Sequence, residues 1–153
     1  MNSSIQQHAS GIVGHVRRAF TLVEILIVVV ILGVLAAVVV PQFGSAVQDA
    51  SIGTTTSELH KIRRALEVYM VQNANLLPTV AEGDGTWGPL VTGSGYLKGP
   101  PLNPYVGGSN AGVIVFRNAP DNAYQTTYGW VYDNATGRIW AGGFDGNDNP
   151  LPR

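Results

Sequence analysis

The sequence predicts an α+β fold in which one long, kinked N-terminal helix lays its second half on a small antiparallel β-sheet. Three observations predict it. Residues 20–40 form an apolar run in which 16 of 21 side chains are Phe, Leu, Ile or Val. From Phe43 to Met70 apolar residues return every three or four positions, the period of an amphipathic helix. From Gly83 onward 14 of 71 residues are glycine and seven are proline, which excludes long helices and leaves short β-like runs between turns.

A helix over the apolar run rises roughly 31 Å, close to the hydrocarbon thickness of a bilayer. Its strongly apolar residues favour insertion by roughly 5–10 kcal/mol, and one carboxylate costs about 3, so the segment suits a membrane span. Arg17 and Arg18 precede the run and no base follows it until Lys61, which places the N-terminus in the cytoplasm and the bulk of the chain outside. Two other export signals fit parts of this pattern. A secretory signal peptide would be cut after Ala36, and Arg17 and Arg18 two places before Phe20 fit a twin-arginine signal. Neither accounts for Glu24, the only charge inside the run. An acid at that depth is a functional candidate, because any aliphatic side chain would remove its cost. It needs a cation, and Arg17 and Arg18 lie too far upstream on a helix to serve. If the chain were cut just before Phe20, the new α-ammonium would lie at the depth of the Glu24 carboxylate in a neighbouring copy, and the two could neutralise each other.

Residues 17–43, running Arg-Arg-Ala-Phe-Thr-Leu-Val-Glu-Ile-Leu through Gly33, Ala36 and Ala37 to Pro41 and Phe43, resemble the N-terminal processing segment of type IV pilins and type II secretion pseudopilins. The resemblance implies that a prepilin peptidase cuts between Ala19 and Phe20 and methylates the amine of Phe20, and that Glu24 pairs with this amine on an adjacent subunit. The family usually has glycine before the cut; Ala19 adds one methyl. Gly33 and Pro41 match positions where the family keeps a glycine and a proline. Pro41 cannot donate to the carbonyl of Ala37 and crowds that turn, so a kink is expected there, with Gly33 loosening an earlier turn. An ordinary helix stop at Pro41 is the competing reading, but the helical period resumes directly after it. The implied organisation is a leader at 1–19, a membrane-spanning and filament-core half of the helix at 20–42, an amphipathic half at 43–75, an irregular Gly- and Pro-rich loop at 76–112, and a small antiparallel sheet with a C-terminal loop at 113–153.

Along the amphipathic half, Val47, Ala50, Leu59, Ile62, Leu66, Tyr69 and Met70 continue a stripe, while Glu58, Lys61, Arg64 and Glu67 are free to face water. Glu58 with Arg63 or Lys61 reads as a solvated surface pair. Gly53 and Thr54 to Thr56 are weak helix formers, so a loosened turn is expected there. The loop 83–112 should take its shape from packed Trp87, Tyr96, Leu97 and Tyr105. Three β-like runs, 113–117, 128–133 and 138–141, follow, the last two joined by the hairpin loop Asn134-Ala135-Thr136-Gly137. Tyr96 to Lys98 with Pro100 to Tyr105 resemble the proline-bearing loop of the major pseudopilins. Residues 142–148 are similar in character to their calcium-binding loop. Asp145, Asn147 and Asp148 could hold a hard cation there, or could form Asx turns on an exposed tail.

Composition excludes several classes of function. A net charge of −1 provides no basic field for nucleic acid. With no cysteine there is no disulfide framework or thiol nucleophile. His60 is the sole histidine after the apolar run, no nucleophile elbow or phosphate loop occurs, and Gly83, Gly85 and Gly88 match a dinucleotide spacing without the strand and helix it requires. No enzyme is indicated and no resident cofactor is expected, calcium apart. The resemblance implies a single-pass inner-membrane protein with a periplasmic C-terminal domain, assembled with identical or related subunits on an inner-membrane platform into a type II secretion pseudopilus. A type IV pilus subunit is the alternative within the family. An uncleaved, membrane-anchored binding module is the alternative outside it.

Overall fold

The computed structural model describes residues 20–92 and 95–153, with the backbone alone at 40–43. Helix α1, Leu22–Gln72, is followed by three short strands: β1, Ile114–Phe116; β2, Trp130–Tyr132; and β3, Ile139–Ala141. Two compact units divide the chain, Met1–Val40 and Pro41–Arg153, and α1 contributes to both.

In the first unit the described residues are helical from Leu22. The helix is long and apolar enough to cross a membrane, and the side chains at 22–39 are exposed, with nothing of this segment buried within the chain. Gly33 and Pro41 both fall within α1, and the leader residues lie outside the described part.

The second unit holds the hydrophobic core. Burial on α1 begins at Thr55 and follows the predicted stripe through Leu59, Ile62 and Leu66, with Ala65 buried beside them and Tyr69 and Met70 half-buried. Val47 and Ala50, expected to share that stripe, are exposed, because the sheet and loops do not reach so far along the helix. The expected loosening at Gly53 to Thr56 is absent. α1 runs through it, with Thr54 Oγ1 bonded back to the Ala50 carbonyl and Thr55 buried. The helix stops at Gln72, where Asn73 Nδ2 donates to the Tyr69 carbonyl and Ala74 and Asn75 turn to positive φ.

Opposite the helix stand Ile114, Trp130, Tyr132, Ile139, Ala141 and Phe144. Trp87, fully buried, packs edge-on against Trp130 and Tyr132 with ring centroids 6.3 and 6.1 Å away. The grip on that ring holds the Trp87 backbone at φ 59, a conformation that costs a non-glycine residue about 1 kcal/mol or more.

The sheet order is β1-β2-β3. The β2–β3 pairing is the predicted antiparallel hairpin, with Trp130 opposite Ala141 and Tyr132 opposite Ile139. Its loop closes through Gly137 N to the Asp133 carbonyl, and Gly137 takes the positive φ that its turn requires. The β1–β2 pairing, however, is parallel, so the sheet is mixed rather than antiparallel throughout. The connection 117–129 is long enough to return the chain to the starting end of β1. Asp121 fastens that connection: its carboxylate accepts from Arg117, Tyr128, Gln125 and the Gly143 amide.

Candidate functional site

Two places carry the predicted site residues. The first is the N-terminal turn of α1. Thr21 Oγ1 accepts from the Glu24 amide at 3.2 Å, and Glu24 Oε2 accepts from the Thr21 amide and hydroxyl at 2.9 and 2.8 Å. This reciprocal arrangement is a capping box, in which the N-cap threonine and the glutamate three residues on satisfy amides that the first helical turn leaves unpaired. The sequence reading missed this role for Thr21, although the spacing Thr21-x-x-Glu24 ahead of an apolar run announces it. The consequence is chemical: Glu24 is held in a defined rotamer, and Oε1 has no partner among the described residues. Phe20 is 80% exposed just ahead of the cap. Ala19, the other side of the predicted cut, lies outside the described residues. At Gly33 an added Cβ would meet nothing within 4 Å. Pro41 lies where only the backbone is described.

The second place is the C-terminal loop. Asp145 Oδ1 accepts the amides of Asn147 and Asn149 at 2.8 Å each, and Oδ2 accepts Asn149 Nδ2 at 3.1 Å. These bonds, the Asn149 amide first among them, hold the Asp145 carboxyl below its ordinary range. Asp148 is engaged elsewhere. Arg63 Nη1 meets Asp148 Oδ2 at 2.5 Å and Arg63 Nη2 meets Oδ1 at 2.8 Å, while Nη2 also donates to the Ile139 carbonyl at 3.0 Å. Of the two partners the sequence offers Glu58, Lys61 takes it at 2.5 Å, and Arg63 reaches across to the loop. A calcium ion takes six to eight oxygens, several of them anionic. Here one carboxylate is spent on backbone and amide donors and the other on a guanidinium. Among the described residues no group of three or more His, Asp or Glu side chains could hold a metal. The donor set as folded does not fit the ion.

A polar knot holds the loop region to α1. Asn103 is fully buried: its Oδ1 accepts from Thr55 Oγ1 at 2.9 Å and from the amides of Tyr105 and Val106, and its Nδ2 donates to the carbonyls of Gly129 and Gly142 at 2.8 and 2.9 Å. One amide side chain thus joins the helix, the proline-bearing loop, the entry to β2 and the exit from β3.

The N-terminal segment matches the prokaryotic N-terminal methylation motif over residues 15–40. Core protein G of the type II secretion system from Escherichia coli K12 is 34% identical over 98 residues, covering 58% of this chain and 67% of that protein. The chain belongs to the type II secretion pseudopilin family. The corresponding protein of Pseudomonas aeruginosa is 37% identical over 95 residues, 56% of this pseudopilin and 66% of that relative. A probable minor fimbrial protein of Dichelobacter nodosus is 33% identical over 100 residues, 65% of this chain and 61% of that one. With these last two the match spans less than two thirds of the relatives' length. No solved structure matches this pseudopilin significantly.

Proposed function

We propose that this pseudopilin is a structural subunit of a type II secretion pseudopilus, supporting protein export across the outer membrane. The observation that carries the proposal is the N-terminal half of α1: an exposed apolar helix interrupted by one carboxylate whose rotamer is fixed by its own helix cap. In the inner membrane such a helix is solvated by lipid, with the N-terminus cytoplasmic and the folded unit periplasmic. The prepilin peptidase cuts between Ala19 and Phe20 and methylates the new amine. Glu24 of one copy then takes the Phe20 ammonium of the next as its counter-charge, so that only one axial offset between helices leaves no buried charge unpaired. Gly33 and Pro41 let the helix bend to follow its neighbours. The inner-membrane platform adds subunits, and the filament grows into the periplasm. Relatives of this kind are structural subunits, and no catalytic role is assigned.

Deleting the gene tests the proposal: exported proteins should accumulate in the periplasm while surface pili persist. The likeness to a fimbrial protein supports a second reading, a subunit of a type IV pilus, for which the deletion would remove pili and leave export intact.

A further inference from the structure

We propose that Arg63 does for the C-terminal loop what a bound cation would do, clamping Asp148 to α1, so that the fold of this pseudopilin does not depend on calcium. The inference concerns a single folded subunit and stands independently of the filament reading.

The clamp is built from both sides. Asp148 sits at φ 62 at the tip of the loop, with its amide on the Asp145 carbonyl, and this turn aims its carboxylate at the helix. Arg63 meets it as a two-pronged fork, and the same guanidinium holds the Ile139 carbonyl at the start of β3. Both side chains are largely covered, 32% and 24% exposed, which removes them from the class of freely solvated pairs. The distal end of the loop has its own cationic fastening. The Arg153 guanidinium lies 4.4 Å from the centre of the Tyr105 ring and bonds the Tyr105 carbonyl, while Tyr105 Oη donates to the Leu151 carbonyl at 2.6 Å. Leu151 N returns to the Gly143 carbonyl at 2.9 Å. The loop therefore has a cation of the protein's own at its tip and another at its distal end.

A divalent ion would have to compete with this. It would need the Asp148 carboxylate, already neutralised by a guanidinium that would repel the ion at contact distance. It would also need the Asp145 oxygens, turned onto three N–H donors.

The test uses the full-length protein in detergent, unfolded thermally in calcium and in chelator, with limited proteolysis reporting on residues 145–153. Wild type should show the same Tm in both buffers, since a ligand absent from the native state cannot stabilise it. Arg63→Gln should lower Tm by about 4–8 °C and expose the loop to cleavage in both buffers. Asp148→Asn should do the same, and the double variant should be no worse than either single one, because the two act through one contact. Arg63→Lys, which keeps the charge and loses the fork, should fall between. A saturable rise in wild-type Tm with calcium would overturn the proposal. So would Arg63→Gln with unchanged Tm and an uncut loop. If Arg63→Gln fails to fold, the wild-type calcium comparison still decides.

Discussion

Thr21 and Glu24 cap each other: the hydroxyl of one accepts the amide of the other, and Glu24 Oε2 receives both the amide and the hydroxyl of Thr21. Glu24 thus has a local duty besides the proposed pairing with a neighbouring Phe20, and the two can be separated. Glu24→Gln keeps an oxygen for the Thr21 donors but has no charge. It should insert into the membrane normally and fail to enter filaments, as measured by subunit recovered in sheared or crosslinked filament fractions. Glu24→Ala, which loses both duties, should fail as well. Normal filament levels from Glu24→Gln would leave Glu24 a capping residue only.

Thr21→Val keeps the shape of the side chain and removes the cap, a change worth about 1 kcal/mol at a helix start. The first turn should fray and Glu24 should lose its fixed rotamer. Filament yield should drop severalfold while membrane insertion is unaffected; an unchanged yield would show that the cap does not position the acid.

Asn103→Ala should cost about 2–4 kcal/mol, because it strands several buried partners at once rather than one. Thr55→Val, which removes the donor to Asn103 and a longer acceptor contact to the Tyr105 amide that Asn103 Oδ1 also serves, should cost about 1 kcal/mol. Thermal unfolding in detergent measures both. These contacts were not legible in the sequence. Thr55 was read as a weak helix former, since nothing local reveals that a loop side chain 48 residues away needs a hydroxyl at that point. Arg63 and Asp148, 85 residues apart, were unreadable for the same reason. By contrast, the apolar run, Glu24, the stripe from Leu59 to Leu66 and the 134–137 turn were readable, because each is a periodicity or a short-range pattern. The parallel β1–β2 pairing sits between these cases: strand positions follow from local composition, but direction follows from how the Asp121-pinned connection folds.

Gly129→Ala should be strongly destabilising. A Cβ at that position would stand 1.9 Å from the Ala111 carbonyl oxygen, a backbone atom that cannot swing aside, so a cost of about 3 kcal/mol or failure to fold is expected. Gly33→Ala, with open space around the new Cβ, should leave the isolated subunit as stable or more so. Expression level and Tm of the two variants give the comparison.

Stability should fall at both ends of the pH scale for assignable reasons. Burial first, and then the nearby Asp121 and Asp133 carboxylates respectively, push the hydroxyls of Tyr128 and Tyr132 up to about 12 from 10.0. The folded state then holds protons that the unfolded chain releases, so stability is full below about pH 10 and is lost as pH rises toward 12. Tyr132→Phe should flatten part of that alkaline loss. In acid the sign reverses. Asp133 is held low chiefly by the Thr136 hydroxyl and Asp145 by the Asn149 amide, so the stability they contribute is present above pH 3.8 and lost as pH falls below it. Unfolding followed from pH 2 to pH 12, with tyrosinate absorbance recorded in parallel, checks both limbs.

Everything proposed for the filament depends on a free amine at Phe20, and intact-mass measurement of the protein extracted from membranes with an active processing peptidase reads it directly. A chain that begins at Phe20 and carries one added methyl on its amine is the expected result. A chain that still begins at Met1, with Phe20 internal and unmodified, would leave Glu24 without its counter-charge and would make this an uncleaved membrane-anchored module instead.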